Sequence, residues 1–249
     1  MKRFVDEWYK KLILSTETKP SIQPDPVPDI AKLIEALFCL SDEEWGEYLF
    51  SREIAGGRIK ENLKKTMIQK AILCGKEYVR KIKMEYGNIS PSVLADKMQI
   101  QVTFRHEELN DNFFIFSQFI PPKCIVIFPI YIERAKPFLE MLKKQKTWGN
   151  FSIKNILLAH ELFHFIEERD KNFIFTRTEK MELWTIGPFK GISPIFCLGE
   201  IAAMIFAKEL CGLLIPANII DVILTYGCNP YKSLQICKKM LRFHKSYSC

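Results

Sequence analysis

The stretch from Asn155 to Glu168 constrains this chain more than any other, because its residue order fits one local structure and a narrow range of chemistry. No Pro or Gly interrupts residues 152–170, Ser152 is a ready N-cap, and Ile153, Ile156, Leu157 and Leu158 supply an apolar surface. These features predict a helix over 152–169. His160 and His164 then stand four residues apart, about 40° offset around the axis and about 6 Å apart along it. Two imidazoles in that relation can ligate one ion, each from about 2.0–2.1 Å. Glu161 directly follows the first of them, where its carboxylate can reach a water on the same ion.

Two histidines do not complete a catalytic zinc site, which takes three protein ligands and one open position. A third ligand is therefore expected downstream. Ser193 as N-cap, Pro194 as first helical residue and Gly212 as stop predict a second helix over 194–211. Glu200, Ala203 and Ala207 share one face of it, and the small side chains would let it approach the histidine helix closely. Glu200 is flanked by Phe196, Leu198, Ile201 and Ala202. An unpaired carboxylate there is costly, and a metal would remove the cost. Glu200 is the first choice of ligand, Glu209 the second, with Glu179 and Glu182 more remote. One Zn2+ per chain on His160, His164 and Glu200 is the expected cofactor, with Glu161 as general base. His-Glu-x-x-His is the pattern of zinc-dependent peptidases, so peptide hydrolysis is the expected activity.

His160–His164, followed by Glu200-x-x-Ala203-x-x-Phe206-Ala207 and Leu213-Leu214-Ile215-Pro216, resembles the ImmA/IrrE-type metallopeptidases. Upstream, Lys76–Ile82, Ile89–Ile100 and Gln101–Phe104 are similar to that family's opening helix, Pro-initiated short helix and first strand. The resemblance covers roughly residues 62–226. It implies a compact gluzincin, a bacterial or phage regulatory setting, and a DNA-binding repressor as the protein substrate. Three features depart from the family's pattern. Met204 stands where an Asp or Asn would hydrogen-bond the first histidine, Phe163 stands where Gly is usual, and extra residues lie between Ala207 and Pro216.

The rest of the chain is consistent with a folded protein: 249 residues, 48% hydrophobic and 26% charged. Acidic residues in Met1-Lys-Arg-Phe-Val-Asp-Glu fall where a signal peptide would have its apolar core, and no long uncharged apolar run exists, so a cytoplasmic protein without a membrane span is expected. The eight cysteines are scattered and read as reduced thiols. Cys228, Cys237 and His244 match no usual zinc spacing. A net charge of +7 favours acidic partners, nucleic acid among them, but the bases form no single stripe.

Along the chain, helices are predicted over 3–14, 29–40, from Ser41 onward, 59–86 with a kink at Gly75, 133–145, 217–226 and 231–245. The Pro-rich stretch 19–28 links the first two. Residues 1–60 are read as an N-terminal helical extension and 61–249 as a zincin-like metallopeptidase domain. Strand-like runs at 99–105, 112–120 and 123–132 precede the histidine helix, giving an α+β class with a small three-stranded antiparallel sheet packed on helices. Pro129 places 123–132 at the sheet edge, where an extended substrate could pair. Residues 170–193 are expected as a cleft wall or lid. Tyr131, Tyr226, Tyr231 and His244 are the candidates for stabilising an oxyanion.

Overall fold

Capping chemistry starts the first well-marked helix. The Glu44 N–H donates to Ser41 Oγ at 3.2 Å and the Ser41 N–H donates to Glu44 Oε2 at 2.8 Å, a reciprocal cap. The computed structural model describes residues 30–53, 56–107, 114–143, 151–186 and 189–244. The predicted helix 3–14 and the Pro-rich stretch lie outside them. In chain order the helices are α1 (Ile30–Phe38), α2 (Asp42–Phe50), α3 (Glu61–Tyr86) and α4 (Pro91–Lys97). Strands β1 (Gln101–Phe104), β2 (Ser117–Ile120) and β3 (Cys124–Ile127) come next, then α5 (Pro129–Lys143), α6 (Ile153–Arg169) and the short α7 (Phe175–Thr178). A hairpin, β4 (Lys180–Ile186) and β5 (Phe189–Pro194), leads to α8 (Phe196–Cys211), α9 (Ile219–Cys228) and α10 (Pro230–Leu241). The chain is mixed and mostly helical. No helix among the described residues is long and apolar enough to cross a membrane.

One apolar core runs through these elements. Ile34 and Leu37 of α1 and Trp45 and Phe50 of α2 belong to the same buried cluster as Ile68, Phe163, Phe206 and Ile223. Residues 30–50 thus share a core with the helices later in the chain. Helix α3 runs unbroken through Gly75, where the sequence suggested a kink. The glycine serves close packing instead: a Cβ there would sit 2.5 Å from the Ala202 carbonyl oxygen and 3.0 Å from Ile205 Cβ, both on α8. Gly75→Ala would gain about 1 kcal/mol of helix propensity against an overpacking cost of about 1–3 kcal/mol. The expected result is a melting temperature lowered by several degrees; a raised one would show that α3 and α8 can slide apart freely.

The sheet corrects the sequence reading. Its order is β1-β3-β2, with β3 parallel to β1 and antiparallel to β2, so it is mixed and not antiparallel throughout. β3 follows β2 in the chain yet lies between β1 and β2 in the sheet. β3 is therefore the central strand and not an edge. It stops at Ile127, and Pro129 opens α5, where a missing N–H costs nothing. The free edge next to α6 belongs to β2.

The start of α8 also differs. Pro194 closes β5, and the helix begins at Phe196. Its cap comes from far away in sequence: the Cys197 N–H donates to Glu53 Oε2 at 3.0 Å. The stop is as read, with Gly212 in the left-handed region at φ 63°.

Candidate metal centre

Helix α6 starts at Ser152, whose Oγ accepts the Asn155 N–H at 3.3 Å, and carries His160, Glu161 and His164 inward. Helix α8 brings Glu200 to meet them, through the small residues of its inner face. His160 Nε2 and His164 Nε2 are 3.0 Å apart, and Glu200 places Oε2 and Oε1 3.4 Å from each in turn. A tetrahedral ion with bonds of about 2.0–2.1 Å has ligand atoms about 3.3–3.4 Å apart. The two 3.4 Å separations run to different oxygens of Glu200, and one donor atom from each of the three residues lies within 4.8 Å of the other two, a cluster that an ion could draw together. His160, His164 and Glu200 form a group able to hold a metal ion. Glu209, Glu179 and Glu182 are not brought to it.

The electrostatics favour a cation at this point. Burial opposes charging of both imidazoles, yet Glu200 on His160, and Glu200 with Glu167 on His164, raise their proton affinity above the usual histidine range. Burial likewise opposes ionisation of Glu200, but the two histidines hold its carboxyl well below the usual carboxylate range. The cluster draws positive charge inward, and a metal ion is one form of it.

The sequence reading missed Glu167. Its Oε2 lies 2.9 Å from His164 Nδ1, and its Oε1 accepts the Thr176 hydroxyl, with Arg177 Nε 3.7 Å away. His164 lowers its pKa against the opposing effect of burial, so the carboxylate is an acceptor. Nδ1 then carries the hydrogen, which leaves Nε2 for an ion. Room for this carboxylate comes from Gly199, where a Cβ would be 2.7 Å from Glu167 Oε1. The signal was present in sequence: Glu167 stands three residues beyond His164, on the same side of the helix. Glu167→Gln is expected to weaken zinc affinity by about 10–100-fold; unchanged affinity in a metal titration would remove this orienting role.

His160 has no equivalent support: its buried Nδ1 has no hydrogen-bond partner among the described residues. Met204 lines the same cavity as His160. Phe163 does not crowd the metal side. It is fully buried between Tyr78 and Phe206, with ring centroids 6.1 and 5.5 Å away.

Glu161 is held from β2. Ser117 Oγ donates to its Oε1 and the Phe119 N–H to its Oε2, both at 2.7 Å. The Phe128 N–H donates to the Phe116 carbonyl, so by alternation Ser117 and Phe119 turn their backbone groups away from β3. An outward donor of the edge strand therefore positions the carboxylate. Glu161 lines a cavity of about 590 Å³ that also reaches His160 and Glu200.

Among the described residues, α6, α8, Phe114, Phe116 and Ser117 line the cavity together with α2, α9 and α10, and the hairpin within 170–193 does not. The four oxyanion candidates are elsewhere. Tyr131 is buried against Phe116 and Phe128, Tyr226 stacks on Phe138 at 3.9 Å, Tyr231 is half exposed, and His244 faces Glu44. Tyr48, Arg52 and Asn218 line the cavity in their place. The chain matches no known protein family, no curated protein and no solved structure.

Proposed function

We propose that this protein is a zinc-dependent endopeptidase of zincin-like architecture, making limited cuts in an intracellular regulatory protein such as a DNA-binding repressor. The observation that carries this reading is the convergence of His160, His164 and Glu200 into one cluster with Glu161 beside them. The donor set, two imidazoles and a carboxylate, suits Zn2+, one per chain. The resemblance to ImmA/IrrE-type metallopeptidases supports the substrate class.

A zinc ion held by these side chains would supply Lewis acidity and a water acidified towards neutral pH. Glu161, steadied by Ser117 and the Phe119 N–H, takes the proton of the attacking water and returns it to the leaving amine. Glu167 fixes the ring of His164.

A second reading is a weakly active or non-cleaving regulatory protein on the same scaffold. It is favoured by the Nδ1 of His160, unpartnered among the described residues, and by Met204 in the same cavity, where the family's pattern would have an Asp or Asn. One experiment separates the two. Zinc-loaded protein is incubated with a repressor encoded beside it and, separately, with casein. The peptidase reading expects a single cut in a repressor linker, little action on casein, and no cut by Glu161→Gln. Rapid many-site degradation of casein shows a broad scavenging peptidase. Tight repressor binding without any cut establishes the second reading.

A further inference from the structure

The cavity beside the metal centre has a second, positively charged end. Arg52 lies just after α2, Lys232 and Lys239 sit on α10, and Arg242 lies just after that helix; all four line the cavity. Away from the metal centre, the lining carboxylate among the described residues is that of Asp221. Arg52 donates to the Tyr48 hydroxyl at 3.0 Å and lies over that ring. Lys232 Nζ lies 5.1 Å from the centre of the Phe114 ring. Neither has a carboxylate within ion-pair distance among the described residues.

We infer that this end of the cavity is a specificity subsite, in which Arg52 and Lys232 receive the carboxylate of an Asp or Glu side chain next to the scissile bond. The inference rests on the peptidase reading above and names the substrate feature that reading leaves open. Tyr48 and Phe114 hold the two cations by neutral groups, which leaves their charge for a ligand. Both are only partly exposed, so an ion pair formed there is less screened than one on the surface. Burial and the nearby charge of Arg52 lower the proton affinity of Lys232, as expected for a cation lacking its anion. Arg52 and Lys232 line the same cavity as His160 and Glu161, so a side chain anchored at the two cations belongs to a substrate whose backbone lies at those residues. Asp221 lines that cavity as well; burial pushes its carboxyl up to about 6, while the charges of His160 and Arg52 pull it down.

The test uses zinc-loaded full-length protein and short peptidyl hydroxamates carrying Asp, Asn or Lys on either side of the chelating group. The Asp probe should bind about tenfold or more tightly than the Asn probe in at least one series, and Lys should bind worst, as expected for charge-assisted hydrogen bonds. The preference should narrow in high salt. In Arg52→Gln with Lys232→Gln the Asp-to-Asn ratio should fall towards one while zinc content stays at one per chain. Arg52→Glu with Lys232→Glu should invert the order in favour of Lys, which misfolding cannot produce. Equal affinities for the three probes in the wild type, or an Asp preference that survives both double variants, overturns the subsite and leaves the metal centre standing. Failure of every hydroxamate to bind, together with absent zinc, overturns the peptidase reading and this inference with it.

Discussion

His160→Ala and His164→Ala are each expected to lose stoichiometric zinc. The three donor groups converge at 3.0 and 3.4 Å, and removing one imidazole leaves a two-ligand site with no chelating geometry. The loss should exceed the about 10–100-fold of an orienting partner such as Glu167. Glu200→Ala should behave in the same way, because it also removes the negative charge that draws a cation between the two histidines. Glu209→Ala should retain zinc. Metal analysis of purified protein reads the outcome directly, and melting curves add a second readout. Zinc at about 100 times its dissociation constant stabilises the folded chain by about 2.7 kcal/mol. The wild type should therefore melt higher with zinc, and the three ligand variants should not. Unchanged zinc in either histidine variant would falsify the ligand assignment; loss in Glu209→Ala with retention in Glu200→Ala would move the third ligand.

Glu161→Gln is expected to keep zinc and lose peptide hydrolysis by at least about 10²–10⁴-fold, the usual cost of removing a general base. The surroundings make this substitution clean. A glutamine can accept the Phe119 N–H through its carbonyl oxygen and donate its amide to Ser117 Oγ, since a hydroxyl both donates and accepts. Position and packing are thus preserved while the basic carboxylate is gone. Equal turnover by variant and wild type would assign the proton transfer elsewhere. Ser117→Ala provides a milder comparison: it removes one of the two bonds that orient Glu161, so activity should fall less than in Glu161→Gln while zinc is retained.

Local chemistry was legible in the sequence wherever a helix could be read by its own residues. Ser152 and the uninterrupted run behind it fixed the helix, and a period of 3.6 then put His160 and His164 together without further information. Ser41 with Glu44 and Gly212 likewise marked their helix ends by bonds made within a few residues. Glu200 could be ranked above Glu209 because its neighbours were apolar, and burial of a carboxylate demands a partner. Glu167 was readable by the same spacing argument, but the motif's two histidines concealed the third position on that face.

What the sequence determined by itself is therefore the set of groups that each helix presents: His160, Glu161 and His164 on α6, and Glu200 on α8. Tertiary structure alone decided what surrounds them. Strand β3 lies between β1 and β2, a matter of chain path that no local pattern records. Glu53 caps α8 across the fold, so Pro194 lost the role its residue type suggested. The Phe119 N–H turned towards Glu161 because alternation in an antiparallel pair sets which backbone groups face outward. The cationic end of the cavity needed α2 and α10, far apart in the chain, to line one cavity with His160 and Glu200. Periodicity is a property of consecutive residues and survives without a fold, whereas register, capping across elements and the charge of a cavity exist only once distant segments are packed together.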